Sequence, residues 1–221
     1  MSVANTTIRF LKDLEKNNNR EWFTANKGKY ESAMGDVKVL AEAITQGLNK
    51  KDVIEEAKVF RIYRDVRFSK DKAPYKNNLG IHFKRATTQR RGGYYLHIEP
   101  GGCFAGGGFW APEPADLKRI RDEIAFDDKP LRKIIAAKPF VKYFGQMGGD
   151  ELKTAPSGYE RDHPALDLIK KKQYVVMRKF SDKEAMDPGF VKEVVATFEA
   201  MRPFFDYMSE VLSTDVNGQL K

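Results

Sequence analysis

A single cysteine, Cys103, stands in a chain of 221 residues, which excludes an intramolecular disulfide. No apolar run approaches the roughly 18 residues that a bilayer-crossing helix needs. Met1 to Thr7 carries no basic region followed by an apolar stretch; no secretory leader is expected, and the expected location is the cytoplasm. Internal repeats and low-complexity linkers are also missing. Their absence argues for one domain over residues 1–212, followed by a flexible polar tail over 213–221. The glycine-rich run Gly101 to Gly108 fits neither the G-x-x-x-x-G-K-S/T phosphate loop nor a dinucleotide G-x-G-x-x-G opening a helix. A turn followed by a bulged strand, bare enough for a ligand or another backbone to approach, accounts for it better.

Hydrophobic residues make up 41% and charged residues 32% of the chain, a globular and not a disordered profile. Lys and Arg number 39 against 31 Asp and Glu, a formal charge of +8. Such a balance suits acidic partners such as phosphate groups or nucleic acid; it also suits a basic protein with no such partner.

Apolar spacing predicts a short helix to about Glu15 and a long amphipathic helix from about 19 to 49, opened by Asn19 as its cap. Val59 to Phe68 reads as a strand that places Arg61, Tyr63, Asp65 and Arg67 on one face and Arg64 among apolar neighbours on the other. Leu79 to Lys84 and Tyr94 to Glu99 alternate as strands. Glu99-Pro100-Gly101-Gly102 suits a type II turn returning into a strand over Phe104 to Trp110. Helices are expected from Pro114, over Lys129 to Ala137 and around Leu166 to Ile169, then a strand over Gln173 to Phe180. The last helix opens at Asp187-Pro188, and Pro203 should kink or divide it. The sum is an α+β fold: a central, mainly antiparallel sheet covered by helices on one face.

Two constellations carry candidate chemistry. The first is the basic stretch from Lys58 to Lys76. Guanidinium forks match phosphate or carboxylate oxygens, so Arg61, Arg64, Arg67, Lys72 and Tyr75 are the expected ligand-binding residues, with Asp65 between Arg61 and Arg67 holding those two in place. A structural Arg–Asp network that ties the loop to the sheet would look the same in sequence. The second is His82, His97 and Glu99. An imidazole and a carboxylate two residues apart on one strand face supply what general acid/base catalysis needs, so His97 and Glu99 are the catalytic candidates. Histidines satisfied within the structure are the plain alternative. The set lacks a diagnostic metal-ligand spacing, so no metal site is expected. No cofactor is indicated. Lys84, Arg85, Arg90, Arg91 and Lys170 to Lys172, with Tyr94 and Tyr95 for stacking, would form a nucleic-acid surface, without any recognised nucleic-acid motif. An anionic small molecule, a nucleic acid and a purely structural role for the arginines are therefore the three readings, and no membrane partner is expected.

Arg61-x-x-Arg64-Asp65-x-Arg67-Phe68, followed by Lys72 and Tyr75, resembles the signature of the family catalogued as Domain of Unknown Function 2461. The resemblance extends to Asn18-Asn19-Arg20-Glu21-Trp22-Phe23, to Tyr95 through Gly102, to the Gly106 to Trp110 run and to Pro156-x-Gly158-Tyr159. Members of that family are mainly bacterial and of similar length. The resemblance implies no reaction, cofactor or catalytic residue.

Overall fold

The computed structural model describes residues 1–214 and 219–220. Its elements run α1 (Asn5–Lys16), α2 (Arg20–Ala25), α3 (Lys27–Leu48), β1 (Ile54–Val59), β2 (Leu79–Arg85), β3 (Gly93–Ile98), β4 (Phe104–Phe109), α4 (Pro114–Phe126), α5 (Lys129–Ile135), α6 (Lys138–Phe144), α7 (Leu166–Ile169), β5 (Tyr174–Lys179), α8 (Asp182–Ala185) and α9 (Phe190–Ser213). The strands form one antiparallel sheet in the order β1-β2-β3-β4-β5. Each strand therefore lies beside its sequence neighbours, and the fold is α+β. By density of contact the chain groups into two compact units. The first comprises Met1–Lys84, Tyr95–Ala105 and Lys179–Ala196; the second comprises Arg85–Tyr94, Gly106–Arg178 and Thr197–Lys221.

Strand alternation sets the first unit's core. Leu79, Ile81 and Phe83 of β2 and Leu96 and Ile98 of β3 are fully buried, while Lys84 and His97 on the other face are not. α3 packs on β1, burying Val37, Leu40, Ala41 and Ile44 at helical spacing. In the second unit, Tyr94 is wholly buried against the rings of Phe198 and Phe205 from α9.

The expected long helix over 19–49 is two helices. Asn19 caps α2 by accepting from the Trp22 N–H at 2.9 Å. Asn26 ends it, its side-chain amide donating to the Trp22 carbonyl at 2.9 Å. A short amide side chain that competes for backbone bonds breaks the run where apolar spacing alone continues it. α9 is continuous through Pro203; Phe198, Met201, Phe204, Phe205 and Met208 are buried on both sides of it. That burial outweighs the loss of one helical hydrogen bond. Helix α8 was not anticipated, although Ser181-x-x-Glu184 spells its capping box. Of the expected tail over 213–221, Ser213 closes α9 and Thr214 bridges to Leu220; residues 215–218 and 221 lie outside the described residues.

The strand expected over Val59 to Phe68 lies earlier, at β1, and the signature stretch leaves the sheet. Phe60 N–H still reaches the Gly80 carbonyl at 2.9 Å. Beyond it, Arg64 N–H donates to the Pro74 carbonyl at 2.9 Å and Lys76 N–H to the Ile62 carbonyl at 2.8 Å. Tyr63 and Tyr75 form an antiparallel bridge between them. The chain therefore folds back on itself as a loop closed at its base. Asp65 accepts from the Arg67 N–H at 3.2 Å and Asp71 from the Ala73 N–H at 2.9 Å, turn bonds that draw donors away from a ladder. The common face expected for Arg61, Tyr63, Asp65 and Arg67 does not exist.

Candidate functional site

The base of this loop is held from a distance. The Asn18 side chain accepts from the Tyr75 N–H at 3.1 Å and donates to the Tyr75 carbonyl at 2.9 Å. The Tyr75 ring, only 6% exposed, stacks on Phe23 with centroids 3.9 Å apart. Tyr63 and Tyr30 complete the aromatic cluster. Burial, helped by neighbouring Tyr63, raises the Tyr75 phenol above its ordinary range. Tyr75 thus anchors the loop by its ring and backbone.

Against this anchor lies a cleft of about 380 Å³. Its charged wall is Arg64, Asp71, Lys76 and Glu15, and Asn18, Asn77 and Asn78 add amides. The Arg64 Nη1 donates to Asp71 Oδ2 at 2.5 Å. The Arg64 side chain is 26% exposed and that of Asp71 66%. The Ala73 N–H, then the Arg64 guanidinium, hold the Asp71 carboxyl below the usual range. Of the five expected ligand-binding residues, Arg64 and Tyr75 line this cleft; Arg61, Arg67 and Lys72 do not. Arg67 instead forms a fork with Asp65, Nε to Oδ1 at 2.9 Å and Nη2 to Oδ2 at 2.6 Å, both side chains largely exposed. The Lys72 ammonium donates to the Val66 carbonyl at 3.1 Å, and Arg61 is exposed. Asp65 thus bonds Arg67, expected beside Arg61 on the same face, away from the cleft.

Asn77 joins the cleft to the second constellation. Its amide donates to Glu99 Oε1 at 2.7 Å. Glu99 Oε2 meets His97 Nε2 at 2.9 Å, and His97 Nδ1 meets the Tyr95 hydroxyl at 3.2 Å. With a neutral imidazole, one tautomer satisfies the chain: Nε2–H donates to the carboxylate and Nδ1 accepts from the phenol. Burial, reinforced by the Glu99 charge, raises the Tyr95 pKa and keeps that proton on the phenol. The imidazole stacks on Phe104, centroids 4.7 Å apart and planes 15° apart. A side chain at position 80 would collide with the Tyr95 hydroxyl, so Gly80 makes room for it.

His82 has no part in this chain; burial lowers its pKa. Cys103 is buried, its thiol pKa raised by that burial, and it donates to the Glu99 carbonyl at 3.2 Å. Among the described residues no cluster of three or more His, Cys, Asp or Glu suits a metal ion, and no helix is long and apolar enough to cross a membrane. The bare part of β4 receives backbone: Gly107 faces the Gly93 carbonyl and Gly108 the backbone of Tyr174 and Val175. Lys76, part of the expected basic stretch, lines the cleft, whereas sequence reasoning missed Asn77, Asn78, Glu15 and the role of Tyr95. The Tyr95-x-His97-x-Glu99 alternation was a usable signal for the last; nothing local pointed to the others. The residues expected to bind nucleic acid are largely engaged. Tyr94 is buried, Arg85 pairs with Asp206 and Arg91 with Asp116, Lys84 pairs with Glu55, and Lys170 and Lys171 pair with Glu151.

Fold and site together define an α+β protein with an open polar cleft of mixed charge, joined by one amide to a carboxylate–imidazole–phenol chain. The chain belongs to the DUF2461 family, whose model, described as a conserved hypothetical protein, matches residues 6–207. No curated protein and no solved structure matches it.

Proposed function

We propose that the protein binds a small phosphate- or carboxylate-bearing ligand in this cleft, with Arg64 and Lys76 as its cationic contacts. The observation that carries the reading is Arg64. Its guanidinium lines a cleft of ligand size and engages Asp71 through Nη1 alone, leaving most of a five-donor fork for a ligand. Lys76 adds an ammonium with no carboxylate partner among the described residues, its Nζ 3.4 Å from the Arg61 carbonyl. Arg61, Arg67 and Lys72, once grouped with Arg64, fall outside the site. In the same reading His97 and Glu99 are the acid/base pair, and Asn77 couples them to the cleft.

Calorimetric titration with inorganic phosphate and with citrate tests this. Arg64→Met and Lys76→Met should each weaken binding at least tenfold, and Arg67→Ala should leave it unchanged. Equal binding by wild type and both cleft variants, or no binding of either anion, overturns the proposal.

A further inference from the structure

The cleft is not simply cationic, and the Glu15 carboxylate on its wall points to the kind of anion it takes. Glu15 lies on its wall in the last turn of α1. A carboxylate there opposes the helix dipole, so its charge does not serve the helix. Its side chain makes no ion pair or hydrogen bond with another described residue, even though the Lys76 ammonium lines the same cleft. Asn77 donates one N–H to Glu99, and its side-chain oxygen accepts no hydrogen bond from another described residue. The half-buried Asn78 amide has no side-chain partner among the described residues. A bare anion would satisfy Arg64 and Lys76 and leave the Glu15 carboxylate beside it without a donor, so it should bind less tightly than a ligand that also supplies one.

We infer that the ligand of this cleft is a small zwitterion: an anionic group held by Arg64 and Lys76 on a molecule that also bears a protonated amine, received by Glu15 with the Asn77 and Asn78 oxygens. This rests on the cleft reading above and adds the substrate class to it. An ammonium supplies three donors and a positive charge; a hydroxyl would supply one donor and no charge. The Glu15 carboxylate therefore selects the amine over an uncharged polar group.

The test uses matched probes that differ only in the amine: glycine against acetate, β-alanine against propionate, and phosphoethanolamine against ethyl phosphate, each titrated calorimetrically into the full chain. In at least one pair the amine-bearing member should bind ten times more tightly or better. Glu15→Gln should weaken that member and abolish its advantage over its amine-free partner, which should bind as tightly as before or, with one negative charge gone, more tightly. Because the Glu15 side chain is exposed and makes no bond to another described residue, the variant should melt at the wild-type temperature. If the amine-free anions bind through Arg64 and the amine adds nothing in any pair, the inference fails and the cleft reading stands. The inference also fails if Glu15→Gln weakens both members of a pair equally. If none of the six probes binds, both fail.

Discussion

Arg85 and Arg67 each face an aspartate, and burial separates what the two pairs do. The Arg85 side chain is 2% exposed and paired to Asp206, and it also donates to the Arg91 carbonyl at 3.2 Å. Arg67 and Asp65 meet at the solvent, 77% and 60% exposed. Removing the carboxylate beside a buried guanidinium leaves desolvated donors without their acceptor. Asp206→Asn should therefore cost about 1–3 kcal/mol, below the usual range for a buried pair because Asp206 itself keeps water contact. Asp65→Asn should leave the midpoint of urea denaturation unmoved, since water replaces its bonds. The measurement is a pair of urea curves, and equal shifts would show that burial is not the deciding variable. The pairing of Arg85 with Asp206 was not legible in sequence, because the two lie 121 residues apart. The Asp65–Arg67 fork, two residues apart, was.

At the scale of elements, local chemistry decided most outcomes. The Glu99-to-Gly102 turn forms as its residues require: Gly102 N–H donates to the Glu99 carbonyl at 3.0 Å, and Gly101 takes φ +71°. β4 shows what its glycines are for. Gly108 has φ +132°, and a Cβ there would strike the Tyr174 carbonyl and approach the Val175 Cα at 2.8 Å. Gly108→Ala combines a backbone penalty with a clash against β5. It should destabilise by about 2–4 kcal/mol and lower the melting temperature by roughly 5–15 °C. Gly28→Ala, with nothing within 4 Å of the added methyl, should stabilise slightly or do nothing. Thermal melts of both check this, and an unshifted Gly108→Ala would mean that β4 and β5 separate at little cost. The boundaries that differ, at Asn26 and beyond Val59, fall where side chains compete for backbone hydrogen bonds, for a carbonyl at Asn26 and for N–H groups at Asp65 and Asp71. Apolar periodicity carries no trace of that competition.

For the whole molecule, proton linkage predicts two stages of acid loss. Burial lowers the His82 pKa from its ordinary 6.5, a shift that the positive Lys58 and Lys84 deepen and Glu56 opposes. The unfolded chain then binds the proton more readily than the folded one. This stability is fully present above pH 6.5 and lost as pH falls through the lowered value. Wild type should lose stability to urea between pH 7.5 and pH 5.5, and His82→Gln should lose less; equal losses would rule out His82 as the cause. The second stage belongs to carboxylates with lowered pKa values: Asp167 beside Arg132, Glu151 between Lys170 and Lys171, and Asp182 on the Gly101 N–H. Their contribution is present above the ordinary values of 3.8 and 4.5 and disappears below them as the folded groups take up protons.

Sequence by itself determined what depends on near neighbours: the buried alternation of β2 and β3, the stripes of the helices, the Gly101 turn, and the placing of Tyr95, His97 and Glu99 on one strand face. Each follows from periodicity or from a turn of four residues. Tertiary structure alone decided the fate of the signature stretch. Asn18 clamps Tyr75 from 57 residues away and Asn77 meets Glu99 across 22. These bonds fold the stretch onto itself, set Arg64 in a cleft with Glu15 and Lys76, and leave Arg61, Arg67 and Lys72 outside it. The pattern of cations was plain from the start. Which of them converge depends on where distant backbone and amide groups find their hydrogen bonds, and no local rule encodes that.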